Sequence, residues 1–324
     1  MKTPVLFLIF NRPDTTRRVF AEIRKVKPEK LFIAADGPRP NRPDDMENCR
    51  LAREIAQKID WPCEIKTLFR EENLGCGVAL SSAISWFFEN VEKGIILEDD
   101  CLPNPSFFPF CEELLERYKD DERIMEISGN FVQQKNRGFK TKDSYYGSIL
   151  PFLWGWATWR RAWKKFDFNL TMWPEVKKSK ILVPVFKNPA AYERWSGVWD
   201  QYRDEKVNNW DAQWVFVCAM NRGICINPTV NLVSNIGFGG DTTHVKAPAG
   251  KANVPTHTMT FPLNHPSEIK IDYQADAYTF RHHFGIDKKL HYRLLRPVKT
   301  AFPDLYESVR RLLGKNKGFT KSQF

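Results

Sequence analysis

The stretch Gly94-Ile95-Ile96-Leu97-Glu98-Asp99-Asp100 is a short apolar run that ends abruptly in three adjacent carboxylates. The apolar part has the length and composition of a buried strand. The acids then fall at the strand's carboxyl end, where open α/β sheets place their ligand sites. Two unit charges about 5 Å apart repel by roughly 3 kcal/mol at an effective dielectric of about 20. A fold that accepts such repulsion commonly offsets it with a cation, and a hard divalent metal carrying a phosphate suits carboxylate ligands. The alternative is a solvated acidic turn after a strand.

Strands and helices alternate around this run through the first 130 residues. Val5–Phe10 reads as a strand, followed by a helix capped by Asp14 with Val19, Phe20, Ile23 and Val26 on its apolar face. Leu31–Ala35 is the next strand and ends in Asp36-Gly37-Pro38. A proline-rich loop leads to a helix bearing Leu51, Ile55 and Ile59. Glu64–Phe69 is a third strand, Val78–Phe88 a helix and Ile95–Leu97 a fourth strand. A helix from Pro105 to about Tyr118 and a strand at Ile124–Ser128 complete the series. Repeated βα units of this length predict a mostly parallel, Rossmann-like sheet covered by helices on both faces. After Asn130 the texture changes: nine of the eleven tryptophans fall between Trp154 and Trp214. A helix is expected near Asp211–Asn221 and an extended stretch near Ile224–Val233, and the Gly- and Thr-rich chain beyond Ile236 is expected to fold back over a site.

The 324 residues, 42% hydrophobic and 27% charged, suit a soluble globular protein of one large or two closely packed domains. The expected division is a domain over 1–260, made of a 1–130 half and a 131–260 half, and a basic extension over 261–324. No apolar run approaches the ~18 residues of a membrane span. The apolar start is too short for a signal peptide and lacks a small-residue cleavage site, which predicts a cytoplasmic protein. Seven cysteines, an odd number without CxxC spacing, predict reduced thiols. The net charge is +10, of which residues 287–324 carry +7. The main body is therefore only mildly basic, which argues against a broad nucleic-acid-binding face. Leu305, Val309, Leu312 and Leu313 beside Arg310 and Arg311 form either a surface helix that meets anionic lipid at the inner face of a membrane or a solvated helix packed on the body.

There is no GxxxxGK[ST] loop, so the acidic strand is not the magnesium strand of a P-loop enzyme, and Gly75-Cys76-Gly77 lacks the third glycine of a dinucleotide fingerprint. Arg12, in Asn11-Arg12-Pro13-Asp14, sits between a strand end and a helix start; it is either a phosphate ligand or a plain surface arginine. Asp36 either meets a nucleobase or ribose edge or forms an Asp-Gly turn. Arg12, Asp36 and the acidic trio nevertheless all fall at carboxyl ends of expected parallel strands, which share one edge of such a sheet. Strand alternation would send Glu98 and Asp100 to one side and Asp99 to the other. Asp211 after Trp210 reads as a helix-cap acid or a general base. Gly237 to His244 reads as a glycine-rich loop whose His244 is either structural or a ligand. The tryptophans of Trp154-Gly155-Trp156-Ala157-Thr158-Trp159 either stack on sugars or fill the core. His257, His265, His282, His283 and His291 show no metal-ligand spacing.

In this order the motifs resemble those of nucleotide-sugar glycosyltransferases of the GT-A fold, with their DxD-like acidic motif, N-acetylglucosaminyltransferase I and bacterial nucleotide-diphospho-sugar transferases among them. The likeness runs from about Val5 to His244. It implies an inverting, metal-dependent transfer of a hexosyl or N-acetylhexosaminyl group from a nucleoside diphosphate, UDP above all, to a glycan or lipid-linked acceptor in polysaccharide biosynthesis. On this resemblance Phe10 and Arg12 border the nucleotide, Asp36 holds the uracil edge, and Glu98 and Asp99 contact donor sugar and ribose. Asp100 binds Mn2+ (or Mg2+), Asp211 is the base, and Thr242, Thr243 and His244 order over the donor, with His244 at the metal. Ala212 stands where the family carries a second acid. Two other classes are consistent with the same residues: a nucleotidyltransferase, which would want a glycine- and lysine-rich loop after the first strand, and a noncatalytic carbohydrate-binding protein that uses the tryptophans.

Overall fold

The computed structural model describes residues 1–204, 207–238 and 253–286. Ten strands are β1 (Val5–Ile9), β2 (Lys30–Ala35), β3 (Glu64–Phe69), β4 (Lys93–Glu98), β5 (Cys101–Pro103), β6 (Ile124–Ser128), β7 (Tyr145–Ser148), β8 (Trp156–Trp159), β9 (Ile224–Pro228) and β10 (Val233–Asn235). The helices are α1 (Pro13–Val26), α2 (Pro43–Ala56), α3 (Cys76–Asn90), α4 (Phe107–Arg117), α5 (Arg160–Trp163), α6 (Trp173–Ser179), α7 (Val183–Phe186), α8 (Pro189–Asp204), α9 (Asp211–Met220) and α10 (Tyr273–Tyr278).

Eight strands form one sheet in the order β3-β2-β1-β4-β8-β6-β9-β7, and β10 pairs with β5 in a small second sheet. In the large sheet β8 and β7 run against the other six strands, so the α/β, mostly parallel architecture expected from the βα repeats is what forms. The order reverses direction at β1. From β1 the chain moves outward to β2 and β3, then returns to place β4 on β1's other side. That junction is the switch point at which doubly wound sheets open a crevice.

Period-two alternation explains why β1 is buried throughout. Val5, Phe7 and Ile9 enter one apolar cluster with Val19, Phe20 and Ile23 of α1. Leu6 and Leu8 enter another on the opposite face, with Phe87 of α3, Trp156, Trp163 and Trp214. A third cluster gathers Trp173, Trp195, Trp199, Phe216 and Phe280. Residues on both sides of 130 and of 260 share the first cluster, and β8 is inserted between β4 and β6.

Several local expectations need correction. α1 begins at Pro13, with Arg12 in the cap position and Asp14 inside the first turn, because proline's missing N–H is harmless at the first helical position. α3 begins at Cys76, and α2 ends before Ile59. β4 ends at Glu98, and Asp99 and Asp100 form a turn into β5, so alternation does not carry through the acidic trio. The seven cysteines are free thiols, as expected. Among the described residues no helix is long and apolar enough to cross a membrane.

Candidate functional site

The carboxyl ends of β1, β2, β3 and β4 open into a cavity of about 430 Å³. Phe10, Arg12, Asp36, Glu98, Asp99, Asp100 and Asp211 all line it. Thr242, Thr243 and His244 lie outside the described residues, as does the 305–313 segment; Gly237 and Phe238, where that glycine-rich loop begins, reach the cavity.

Two of the three acids, Asp99 and Asp100, gather around one guanidinium. Arg12 Nη1 donates to Asp100 Oδ2 at 2.6 Å and lies 3.8 Å from Asp99 Oδ1. Asp99 Oδ2 accepts from the Phe10 main-chain N–H at 2.9 Å, which ties the end of β4 to the end of β1. Burial pulls the Arg12 proton affinity down, but Asp99 and Asp100 outweigh it and hold the guanidinium above its ordinary value. Burial, then Asp100 and Asp99, push Glu98 well above the carboxylate range. Asp99 is pushed up to about 7 by burial, with Arg12 opposing and Asp100 reinforcing. Gly237 closes the other side: a Cβ there would stand 2.2 Å from Asp100 Oδ2. The Ile236 N–H donates to the Asp100 carbonyl, fixing this approach.

Asp36 lines the cavity and is also hydrogen-bonded within the chain. Its carboxylate accepts from the Gly37, Leu74 and Gly75 N–H groups and from Asn73 Nδ2, each at 3.0 Å. Two carboxylate oxygens offer about four acceptor positions, and these donors fill them. Asp36 therefore shapes the 73–75 turn that walls the cavity. Gly75-Cys76-Gly77 is also explained by packing. Gly75 has φ +76, and the Gly77 N–H donates to Asn208 Oδ1 at 2.8 Å. Cβ atoms at 75 and 77 would collide with Asn208 and with the Asn209 main chain.

Asp211 opens α9 and lines the same cavity. Its Oδ1 accepts from the Tyr202 hydroxyl at 2.8 Å and from the Ala212 N–H at 2.7 Å. Asn209 Nδ2 donates in turn to the Tyr202 oxygen at 3.3 Å. Burial raises the Asp211 carboxyl, and the Tyr202 and Ala212 hydrogen bonds pull it back.

Arg39, Arg70, Asn73 and Asn235 also line the cavity and were not singled out in the sequence. Arg39 lies 5.5 Å over the Phe10 ring and pairs with Asp45. Arg70 follows β3 directly, so the strand-end rule that found Arg12 also finds it. Asn235 reaches Asp100 at 3.4 Å only through the β10–β5 pairing, which no local signal announces. Of the tryptophans only Trp154 and Trp210 line the cavity, while Trp156, Trp173, Trp195, Trp199 and Trp214 are fully buried. Their number serves the core, which removes the main support for a tryptophan-based glycan-binding module. The β1–α1 connection is only Phe10-Asn11-Arg12, without glycine or lysine.

No family model matches the chain, and no curated protein does. Among solved structures, a crystal structure of S. aureus TarS 1-349 aligns with TM-score 0.38 and 11% identity over 71% of this chain and 60% of that one. The chain thus spans less than two thirds of that fragment. Two structures of UDP-glucose pyrophosphorylase, one apo and one complexed with UDP-glucose, align with TM-scores 0.38 and 0.36 and identities of 10% and 12%, each over 72% of this chain and 93% of the other. Likeness this slight carries no argument about activity. The sheet order and the switch-point cavity stand on the chain's own geometry.

Proposed function

We propose that this chain is an inverting, metal-dependent glycosyltransferase that moves a sugar from a nucleoside diphosphate, UDP in the first instance, to a glycan or lipid-linked acceptor. The observation that carries the reading is one cavity lined by Arg12, the three carboxylates at the end of β4 and a further buried carboxylate, Asp211. A diphosphate needs cationic charge at one end, and an attacking hydroxyl needs a base at the other.

The residues fit a hard divalent ion. Asp99 and Asp100 face one guanidinium with Glu98 beside them, and each of these three side chains offers hard oxygen donors. Among the described residues no three side chains form a complete metal site, so Asp100 would hold Mn2+ or Mg2+ together with diphosphate oxygens, and with His244 as a further candidate ligand. When bound, the ion would neutralise charge on the departing diphosphate.

The chain's own residues do the rest. Phe10, Arg39 and the 73–75 turn border the nucleoside, with Asp36 as the organiser of that turn. Glu98 and Asp99 face the donor sugar and ribose. The acceptor oxygen bonds to the anomeric carbon as the carbon–phosphate oxygen bond breaks. The acceptor's proton passes to Asp211, and Arg12 meets the charge left on the phosphate. Thr242 and Thr243 would close over the donor. The test is slow donor hydrolysis across a panel of nucleotide sugars with manganese. Turnover of one donor is expected, and no hydrolysis and no binding with any donor contradicts the reading.

A further inference from the structure

One short segment beside the sheet carries a local excess of positive charge: residues 135–143 hold four cations against one anion. Lys135, Arg137, Lys140 and Lys142 are all exposed, and among the described residues none of them pairs with a carboxylate. They lie on the β6–β7 connection. Because β6 runs parallel to β4, this connection emerges at the edge of the sheet that bears the cavity. At 4.7–4.9 Å per strand, β6 stands about 10 Å and β7 about 19 Å from β4 along that edge.

The loop is held as a shelf. At its root the Gly129 N–H donates to the carbonyl of Gly155, the residue after cavity-lining Trp154. Gln133 Nε2 donates to the Ala275 carbonyl and to Thr279 Oγ1. The Phe139 ring turns inward against Phe131 and Tyr146, at 5.8 and 4.9 Å. The neighbouring π-helix, Thr279–His283, adds exposed Arg281 and His282, the latter stacked on Tyr278. None of the large exposed apolar side chains belongs to residues 134–143. A surface that lay in a bilayer would need such an anchor, and one that stacked nucleobases would need outward aromatics.

We propose that this shelf holds the acceptor, and that the acceptor is a polyanionic glycan whose carboxylate or phosphate groups track from Lys140 and Lys142 past the loop root toward Asp211. The word acceptor rests on the transferase reading; the charge recognition does not.

The test compares wild type with a Lys135→Gln/Arg137→Gln/Lys140→Gln/Lys142→Gln variant. The probes are a labelled polyuronate oligosaccharide, a neutral dextran of equal length, phosphatidylglycerol vesicles and a single-stranded RNA. Wild type is expected to bind the polyuronate in preference to the other three, with affinity that falls as salt rises. The quadruple variant is expected to bind it about tenfold more weakly. A Lys135→Arg/Lys140→Arg/Lys142→Arg variant keeps the charge and should retain binding, which separates charge from damage to the fold. Equal binding by wild type and the Gln variant overturns the proposal, as does dextran, RNA or vesicle binding that matches the polyuronate. UDP with manganese should stabilise wild type and the Gln variant alike. If it stabilises neither, the transferase reading fails while the glycan comparison still decides the shelf.

Discussion

Arg12 Nη1 stands 2.6 Å from Asp100 Oδ2, although 88 residues separate them in the chain. The first follows β1 and the second follows β4, the two strands that meet where the sheet order reverses. The same guanidinium lies 3.8 Å from Asp99 Oδ1, so Arg12 offsets charge on two members of the acidic trio. Replacing Arg12 by Ala leaves Glu98, Asp99 and Asp100 without it and is expected to cost about 2 kcal/mol at pH 8, since breaking a largely buried pair strands its partner. Burial pushes Asp99 up to about 7, so at pH 5 its proton is expected to relieve the repulsion and the cost should shrink. Urea unfolding at the two pH values measures this. A cost that is equal or larger at pH 5 would contradict it.

Asp211 should separate binding from chemistry. Asp211→Ala is expected to keep donor binding and to lose about 10²–10⁴ in transfer rate, the usual worth of a general base. The base works only when ionised, so activity falls as pH drops through its raised value. Tyr202→Phe removes a hydrogen bond that favours the ionised form, and should move that acidic limb upward by about one pH unit. A pH–rate profile decides; an unmoved limb would detach Tyr202 from the base.

Glu126 offers a stability test away from the cavity. It is fully buried in β6 and accepts from the Phe152 N–H at 2.9 Å and from Trp214 Nε1 at 2.6 Å. Burial pushes it up to about 8, with both hydrogen bonds opposing. The unfolded chain releases this proton near the ordinary carboxyl value while the folded chain keeps it. Stability from this group is therefore greatest at acid pH and is lost as pH rises toward 8, by on the order of 4 kcal/mol. Glu126→Gln should flatten that slope in denaturant titrations at pH 5 and 8. An unchanged slope would assign the proton elsewhere.

The βα repeats were legible because strands such as Val5–Ile9 are buried on both faces and carry an unbroken apolar run. β7 and β8 were not, since Tyr145–Ser148 and Trp156–Trp159 are four residues each and mix polar with aromatic side chains. The strand-end rule places Arg12, Asp36 and the trio at one cavity, and it holds equally for Arg70 after β3. The engagement of Asp36 has no local signal, because three of its four donors lie 37 to 39 residues away in a turn without periodicity. The split of the trio failed for a local reason: the strand stops at Glu98, and alternation stops with it.

Two glycines should respond differently. At Gly237 an added Cβ meets Asp100 Oδ2 and, at 2.9 Å, Arg12 Nη1, both side-chain atoms. Gly237→Ala is expected to displace the ion pair and weaken metal-dependent nucleotide binding, with little change in melting temperature. At Gly77 the added Cβ meets the Asn209 main chain at 2.7 Å. Gly77→Ala should therefore lower the melting temperature, because backbone cannot swing aside as a carboxylate can. Thermal melts with and without nucleotide distinguish the two, and identical behaviour would contradict the assignment.

The most direct measurement is the thermal stabilisation by UDP, with and without manganese, of wild type, Asp100→Ala and Asp211→Ala. A ligand that binds only the folded state raises stability by mass action. Manganese-dependent stabilisation is expected for wild type and Asp211→Ala and not for Asp100→Ala. Equal stabilisation of Asp100→Ala, or none of any of the three, would contradict a metal-assisted diphosphate site at the end of β4.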